Sequence, residues 1–201
     1  MVVMKKFWLR KILKSLGHNL IQYEYRSLVR QLQHLNKKNL VGAEIGTLDG
    51  WHALDIMEAL SIKKLYLIDP YKAYEDYSES VGNPRKAQKA LNERMRVAKK
   101  VLKKYGGKVE FIRKFAEDAT EHIEDESLDF LYIDGNHQYE FAKKDIELYY
   151  SKIKKGGIIG GYDYTNSPET EREHFGVFKA VNEFFKKKKI NFYGTDWFVV
   201  K

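Results

Sequence analysis

From Leu40 onward the chain alternates short apolar runs with segments of helical periodicity, and this alternation limits the fold more than any other feature. The apolar runs are 40–45, 64–68, 109–112, 128–133 and 157–160, and the helical segments between them are 51–61, 84–105, 116–123 and 138–154. Short strands separated by helices of this length make βαβ units, so the sequence predicts an α/β fold with a doubly wound, mostly parallel sheet. After the fifth run come a polar loop, a helix over 176–187 and two further short runs, 190–193 and 197–200. Gly194-Thr195-Asp196 separates those two runs, which predicts a C-terminal antiparallel hairpin and brings the sheet to seven strands. The segment ahead of this pattern carries helical spacing at 4–16 and about 20–35, so residues 1–38 are expected to form an N-terminal helical extension to a domain over 39–201.

Composition removes several chemistries. The 201 residues include no cysteine, which excludes disulfide scaffolds, cysteine-ligated zinc and thiol nucleophiles. No run approaches the roughly 20 apolar residues that cross a bilayer. The basic and apolar residues of 1–16 interleave rather than forming successive blocks, so a signal peptide is not expected and the predicted location is cytoplasmic. The formal net charge of +8 is local. Residues 1–16 hold five basic and no acidic side chains, 84–108 hold ten basic and one acidic, and the rest is net acidic. The apolar stripe of 4–16, with Trp8, needs a partner, either a peripheral membrane surface, a dimer contact or a substrate beneath a cap.

In a doubly wound sheet, ligands bind beyond the carboxyl ends of the strands. The first strand runs into Glu44-Ile45-Gly46-Thr47-Leu48-Asp49-Gly50, a loop whose glycines let the backbone turn and approach a ligand. This is not the G-x-G-x-x-G spacing of dinucleotide binding, and the acid before Gly46 would repel a pyrophosphate while suiting an ammonium group. The second strand ends in Asp69, where a carboxylate can accept from ribose hydroxyls. The fourth ends in Asp134-Gly135-Asn136-His137-Gln138-Tyr139 and the fifth in Gly161-Tyr162-Asp163-Tyr164. Two carboxylates and a histidine thus meet on one rim. Paired carboxylates suit a hard divalent cation, and histidine suits proton abstraction near neutral pH.

This ordered set, Glu44-x-Gly46-x-x-x-Gly50, Asp69, Asp134-Gly-x-His137-x-Tyr139 and Gly156-Gly157 through Asp163, resembles the Rossmann-like class I S-adenosylmethionine-dependent methyltransferases. It is most similar to the divalent-metal-dependent small-molecule O-methyltransferases of the catechol, caffeoyl-coenzyme A and macrolide-sugar types. The resemblance implies a methyltransferase domain over 39–201 that transfers a methyl group from S-adenosylmethionine to a small-molecule hydroxyl. It implies cofactor contacts from Glu44, Gly46, Thr47, Gly50, His52, Asp69, Phe115, Ala116 and Asp134. It also implies Mg2+ or another divalent cation on Asp134 and Asp163, with Asp134 and His137 catalytic and His137 the general base. Tyr162 and Tyr164 stand where the family carries a third metal ligand. Two other readings remain at this stage, an RNA-binding protein or nucleic-acid methyltransferase using the basic helix 84–105, and a nicotinamide-dependent oxidoreductase.

Overall fold

A computed structural model describes residues 25–73, 84–166 and 175–201. The helix expected over 4–16 lies outside the described residues, as do the first residues of the segment expected over about 20–35. Described elements run α1 (Ser27–Leu35), β1 (Leu40–Ile45), α2 (Trp51–Ala59), β2 (Ile62–Ile68), α3 (Pro84–Leu102), β3 (Val109–Ile112), α4 (Ala116–Ala119), β4 (Leu128–Ile133), α5 (Tyr139–Tyr150), β5 (Ile153–Gly161), α6 (Phe175–Phe184), β6 (Asn191–Tyr193) and β7 (Asp196–Val200). The seven strands form one sheet in the order β3-β2-β1-β4-β5-β7-β6. β1 to β5 pair in parallel, while β7 is antiparallel to both β5 and β6, which is the expected terminal hairpin.

The central strands read as nearly unbroken apolar runs because helices cover both faces of the sheet. Alternation along each strand then divides the core in two. Ala43, Ile45, Leu131 and Ile133 point toward α5 and α6, where they meet Ala142, Ile146, Tyr149 and Val181. Leu40, Phe130 and Tyr132 point to the other face and meet α2 and α3 through Ala53, Ile56 and Leu102. Gly42 lies opposite Phe130 in register, and a Cβ on it would come within 2.1 Å of that ring, so the strand needs glycine there.

Most differences from the sequence reading lie at element ends. The basic helix stops at Leu102 and continues as a 3-10 turn over Lys103–Lys108, where Gly106 breaks the helical backbone. α4 is a single turn followed by another 3-10 segment, and β5 begins four residues earlier than its apolar run. α1 packs into the core, with Leu28, Val29 and Leu32 buried in the α2–α3 layer. Among the described residues, no helix is long and apolar enough to cross a membrane.

Since Leu28 is fully buried, Leu28→Ala is expected to destabilise the protein by about 2–5 kcal/mol in chemical denaturation. An appendage resting loosely on the domain would lose a few tenths at most.

Candidate functional site

The chain reverses its direction of travel across the sheet between β1 and β4, and a doubly wound sheet opens its crevice at that point. Gly46, at φ +85°, holds the crevice floor close: a Cβ there would lie 1.9 Å from the Asp134 carbonyl oxygen. The Asp134 amide in turn donates to the Ile45 carbonyl at 2.8 Å. Above this junction lies a cavity of about 620 Å3, within the size range of small-molecule sites. Of the residues singled out from sequence, Gly46, Asp69, Phe115, Ala116, Asp134 and His137 line it.

Asp69 is held in place by two backbone donors, Leu48 N at 2.9 Å to one oxygen and Tyr71 N at 2.8 Å to the other. Burial pushes its carboxyl above the usual range, and the amide hydrogen bonds work against that shift. The Tyr71 hydroxyl donates to the Leu48 carbonyl at 2.7 Å, tying the β1 and β2 loops together. Leu48 and Tyr71 both sit at positive φ (+48° and +45°), which side chains rarely adopt and which the surrounding bonds enforce. Tyr71 is thus a buried anchor of the loop.

Glu44, Thr47, Gly50, His52 and Asp163 stand outside the cavity wall. Gly50 begins α2 at φ +75° and packs against α3, since a Cβ there would lie 3.1 Å from Ala98. Glu44 and His52 form a pair beneath the crevice, Oε1 to Nδ1 at 2.7 Å, with the imidazole stacked on Tyr132. Burial raises the Glu44 carboxyl, and its bond to His52 opposes the shift. Glu44 Oε2 and His52 Nε2 are buried with no hydrogen-bond partner among the described residues. Such orphaned polar atoms are costly unless a ligand or water meets them.

The rim joins four side chains. His137 Nε2 lies 3.0 Å from Asp163 Oδ2 and 3.6 Å from Asp134 Oδ1. Arg26, just ahead of α1, places Nη1 2.8 Å from Asp134 Oδ2 and lies over the Tyr162 ring at 4.3 Å. Arg26 also bonds the Tyr132 hydroxyl, which donates to Asp196 Oδ1 at 2.6 Å. Burial alone would raise the Asp134 carboxyl, but His137 and Arg26 reverse that and hold it below the usual range. For Arg26, burial favours the neutral form and is outweighed by Tyr132, Asp134 and Asp196, so the guanidinium stays charged.

Asp134, His137 and Asp163 offer ligand atoms all within 4.8 Å of one another, a spacing a cation could bridge. Of the two tyrosines at the third-ligand position, Tyr162 stacks under Arg26, and Tyr164 packs on Phe178 and Phe192. On the basic helix, Arg94 pairs with Asp49 at 2.8 Å and Lys104, in the 3-10 turn beyond it, with Glu58 at 3.0 Å, so part of that charge is spent within the fold.

Two site residues were not singled out from sequence. Arg26 carries no local signal, because its partner lies 108 residues away. Asp145 did carry one: it interrupts the buried stripe of α5 formed by Ala142, Ile146 and Tyr149, and an acid on an apolar face calls for an explanation.

Residues 43–164 match a family described as a methyltransferase domain. An uncharacterised protein, R132, of Acanthamoeba polyphaga mimivirus is 30% identical over 154 residues, covering 73% of this chain and 60% of that protein. The chain therefore spans about three fifths of the length of that curated relative. Among solved structures, one from Staphylococcus aureus described as a "putative caffeoyl-CoA O-methyltransferase" superposes with TM-score 0.63 at 17% identity, over 96% of this chain and 89% of that one. A methyltransferase of the mycinamycin biosynthetic pathway, solved with Mg, SAH and mycinamycin VI, superposes with TM-score 0.52 at 14% identity, over 85% and 47%. At these identities the superpositions establish the shared fold.

Burial and the charge of Glu117 push the Asp145 carboxyl up to about 7, against an opposing pull from Lys144. The unfolded chain releases that proton near pH 4 and the native state near 7, so stability falls as pH rises through this window. Asp145→Asn is therefore expected to melt near the wild type at pH 4 and above it at pH 8, by an increment that grows between the two. An increment constant with pH in thermal melts would mean that Asp145 titrates normally.

Proposed function

Because the chain belongs to the methyltransferase-domain family, we propose that it transfers a methyl group from S-adenosylmethionine to a hydroxyl of a small-molecule acceptor. The observation that carries this reading is a single cavity walled by Asp69, Phe115 and Ala116, with His137 and its two carboxylates at the edge. The sulfonium cofactor supplies an already activated methyl group, which leaves the protein the work of alignment and proton removal.

Asp69, already oriented by two amides, keeps lone pairs to accept from the ribose hydroxyls. Phe115 lies against one face of the base, with Ala116 beside it. The orphaned Glu44 Oε2 and His52 Nε2, together with Asp134, suit the ammonium and carboxylate of the methionine portion. His137 places Nε2 beside Asp163 and Asp134, where two carboxylates favour a charged imidazole. The imidazole takes the acceptor's hydroxyl proton, and the resulting imidazolium rests between two carboxylates. This residue set supports a base-assisted O-methylation.

The same three side chains support a second reading in which a divalent cation replaces the proton between Nε2 and Asp163. A set with one imidazole and two carboxylates suits a transition metal better than magnesium. When bound, a cation there would lower the acceptor's pKa. Arg26 opposes it, because the guanidinium already neutralises Asp134. Residues 1–16 are proposed as an accessory segment that contacts a membrane surface, a second copy or the substrate. Their removal is expected to leave cofactor binding intact.

His137→Ala is expected to lower turnover by about 10²–10⁴-fold with cofactor affinity nearly unchanged, in an acceptor screen of catechols, sugars and polyphenols. Unchanged turnover would remove His137 from proton transfer. Excess chelator is expected to leave the wild-type rate unaltered, and a lost rate restored by a divalent metal would establish the second reading. Asp69→Ala is expected to weaken S-adenosylhomocysteine binding roughly ten- to a hundredfold by calorimetry. Wild-type affinity in the folded variant would exclude Asp69 from the ribose contact.

A further inference from the structure

Asp145 is a largely buried carboxylate on the wall of the cavity. It is 8% exposed, and its side chain faces the same cavity as Asp69 and Phe115. Oδ2 lies over Gly135 at the end of β4, 3.6 Å from where a Cβ on that glycine would sit. Its sequence neighbour Lys144 is turned to Glu117 across the cavity mouth. Among the described residues, no donor forms a hydrogen bond to the Asp145 carboxyl. A buried acid of this kind costs stability unless a partner arrives, so its place on the wall points to a ligand that donates hydrogen bonds there.

The surroundings narrow the chemistry. Phe115 and Phe141 are among the exposed large apolar side chains, and both line this cavity. Two aromatic faces beside a lone acceptor suit a flat, heteroaromatic group with an N–H on its edge. We propose that Asp145 is the specificity residue for the nucleobase, reading the amino edge of adenine while Phe115 and Phe141 cover its faces. The ionised carboxylate accepts from the exocyclic N6–H and has no proton to give. Deamination of the base to hypoxanthine puts an oxygen where the amine stood, so two acceptors face each other.

This inference rests on the cofactor reading above, and its test separates the two. Binding of S-adenosylhomocysteine and of S-inosylhomocysteine is measured by calorimetry for the wild type, Asp145→Ala and Asp145→Asn. The wild type is expected to prefer the adenine compound by about ten- to a hundredfold. In Asp145→Ala the preference is expected to fall to within about threefold, chiefly through weaker binding of the adenine compound. Asp145→Asn, whose amide can turn to give or to accept, is expected to bind both compounds and to lose the preference as well. Equal wild-type affinity for the two compounds would overturn the inference without need of a variant. So would a full preference in folded Asp145→Ala, leaving the cofactor reading intact. A wild type that binds neither compound would overturn the cofactor reading as well.

Discussion

The ion pair between Arg26 and Asp134 is the contact on which the rim depends. Two carboxylates on adjacent parallel strands, both reaching one imidazole, would repel each other in a half-buried site, and one would take up a proton. Arg26 removes that conflict from the far side of Asp134, at 2.8 Å, while stacking on Tyr162 and joining Tyr132 and Asp196 in one network. With Asp134 kept ionised in this way, His137 sits beside a fixed negative charge. The guanidinium comes from the residue just before α1, whose Leu28 and Val29 are buried in the core. The described N-terminal side of the chain is thereby tied to the carboxyl end of β4.

The crevice itself follows from close backbone approach. Gly46 allows β1 to turn directly against the carbonyl of Asp134, and any side chain at that position would force the two strand ends apart. The loop then passes through Leu48 at positive φ, where the Tyr71 hydroxyl and the Asp69 carboxylate hold its carbonyl and amide. Strain of this kind persists only where neighbouring bonds enforce it. Here those bonds also orient the carboxylate that faces the cavity, so the tension in the backbone and the positioning of Asp69 have one cause.

Much of this was legible in the sequence. The five parallel strands announced themselves as apolar runs because burial on both faces leaves them few polar positions, and the Gly194 turn marked the hairpin. Asp134, His137 and Asp163 could be placed on one rim because each follows a strand, and strand ends converge in this topology. What could not be read were interactions that depend on three-dimensional proximity. Arg26 reaches a carboxylate 108 residues away with no periodicity to betray it. Gly50 carries a motif spacing yet serves packing of α2 against α3, since the same freedom from a side chain suits both uses. Helix ends shifted where propensity was outweighed locally, as at Gly106, whose φ/ψ lie outside the helical region.

A crystal structure of the protein with S-adenosylhomocysteine tests the central claim most directly, because the claim is a position rather than a rate. The expected result is a nucleoside in the cavity with its ribose hydroxyls bonded to Asp69, its base between Phe115 and Phe141, and its sulfur facing His137. A nucleoside bound elsewhere on the protein, or one in the cavity with its ribose turned away from Asp69, would contradict it.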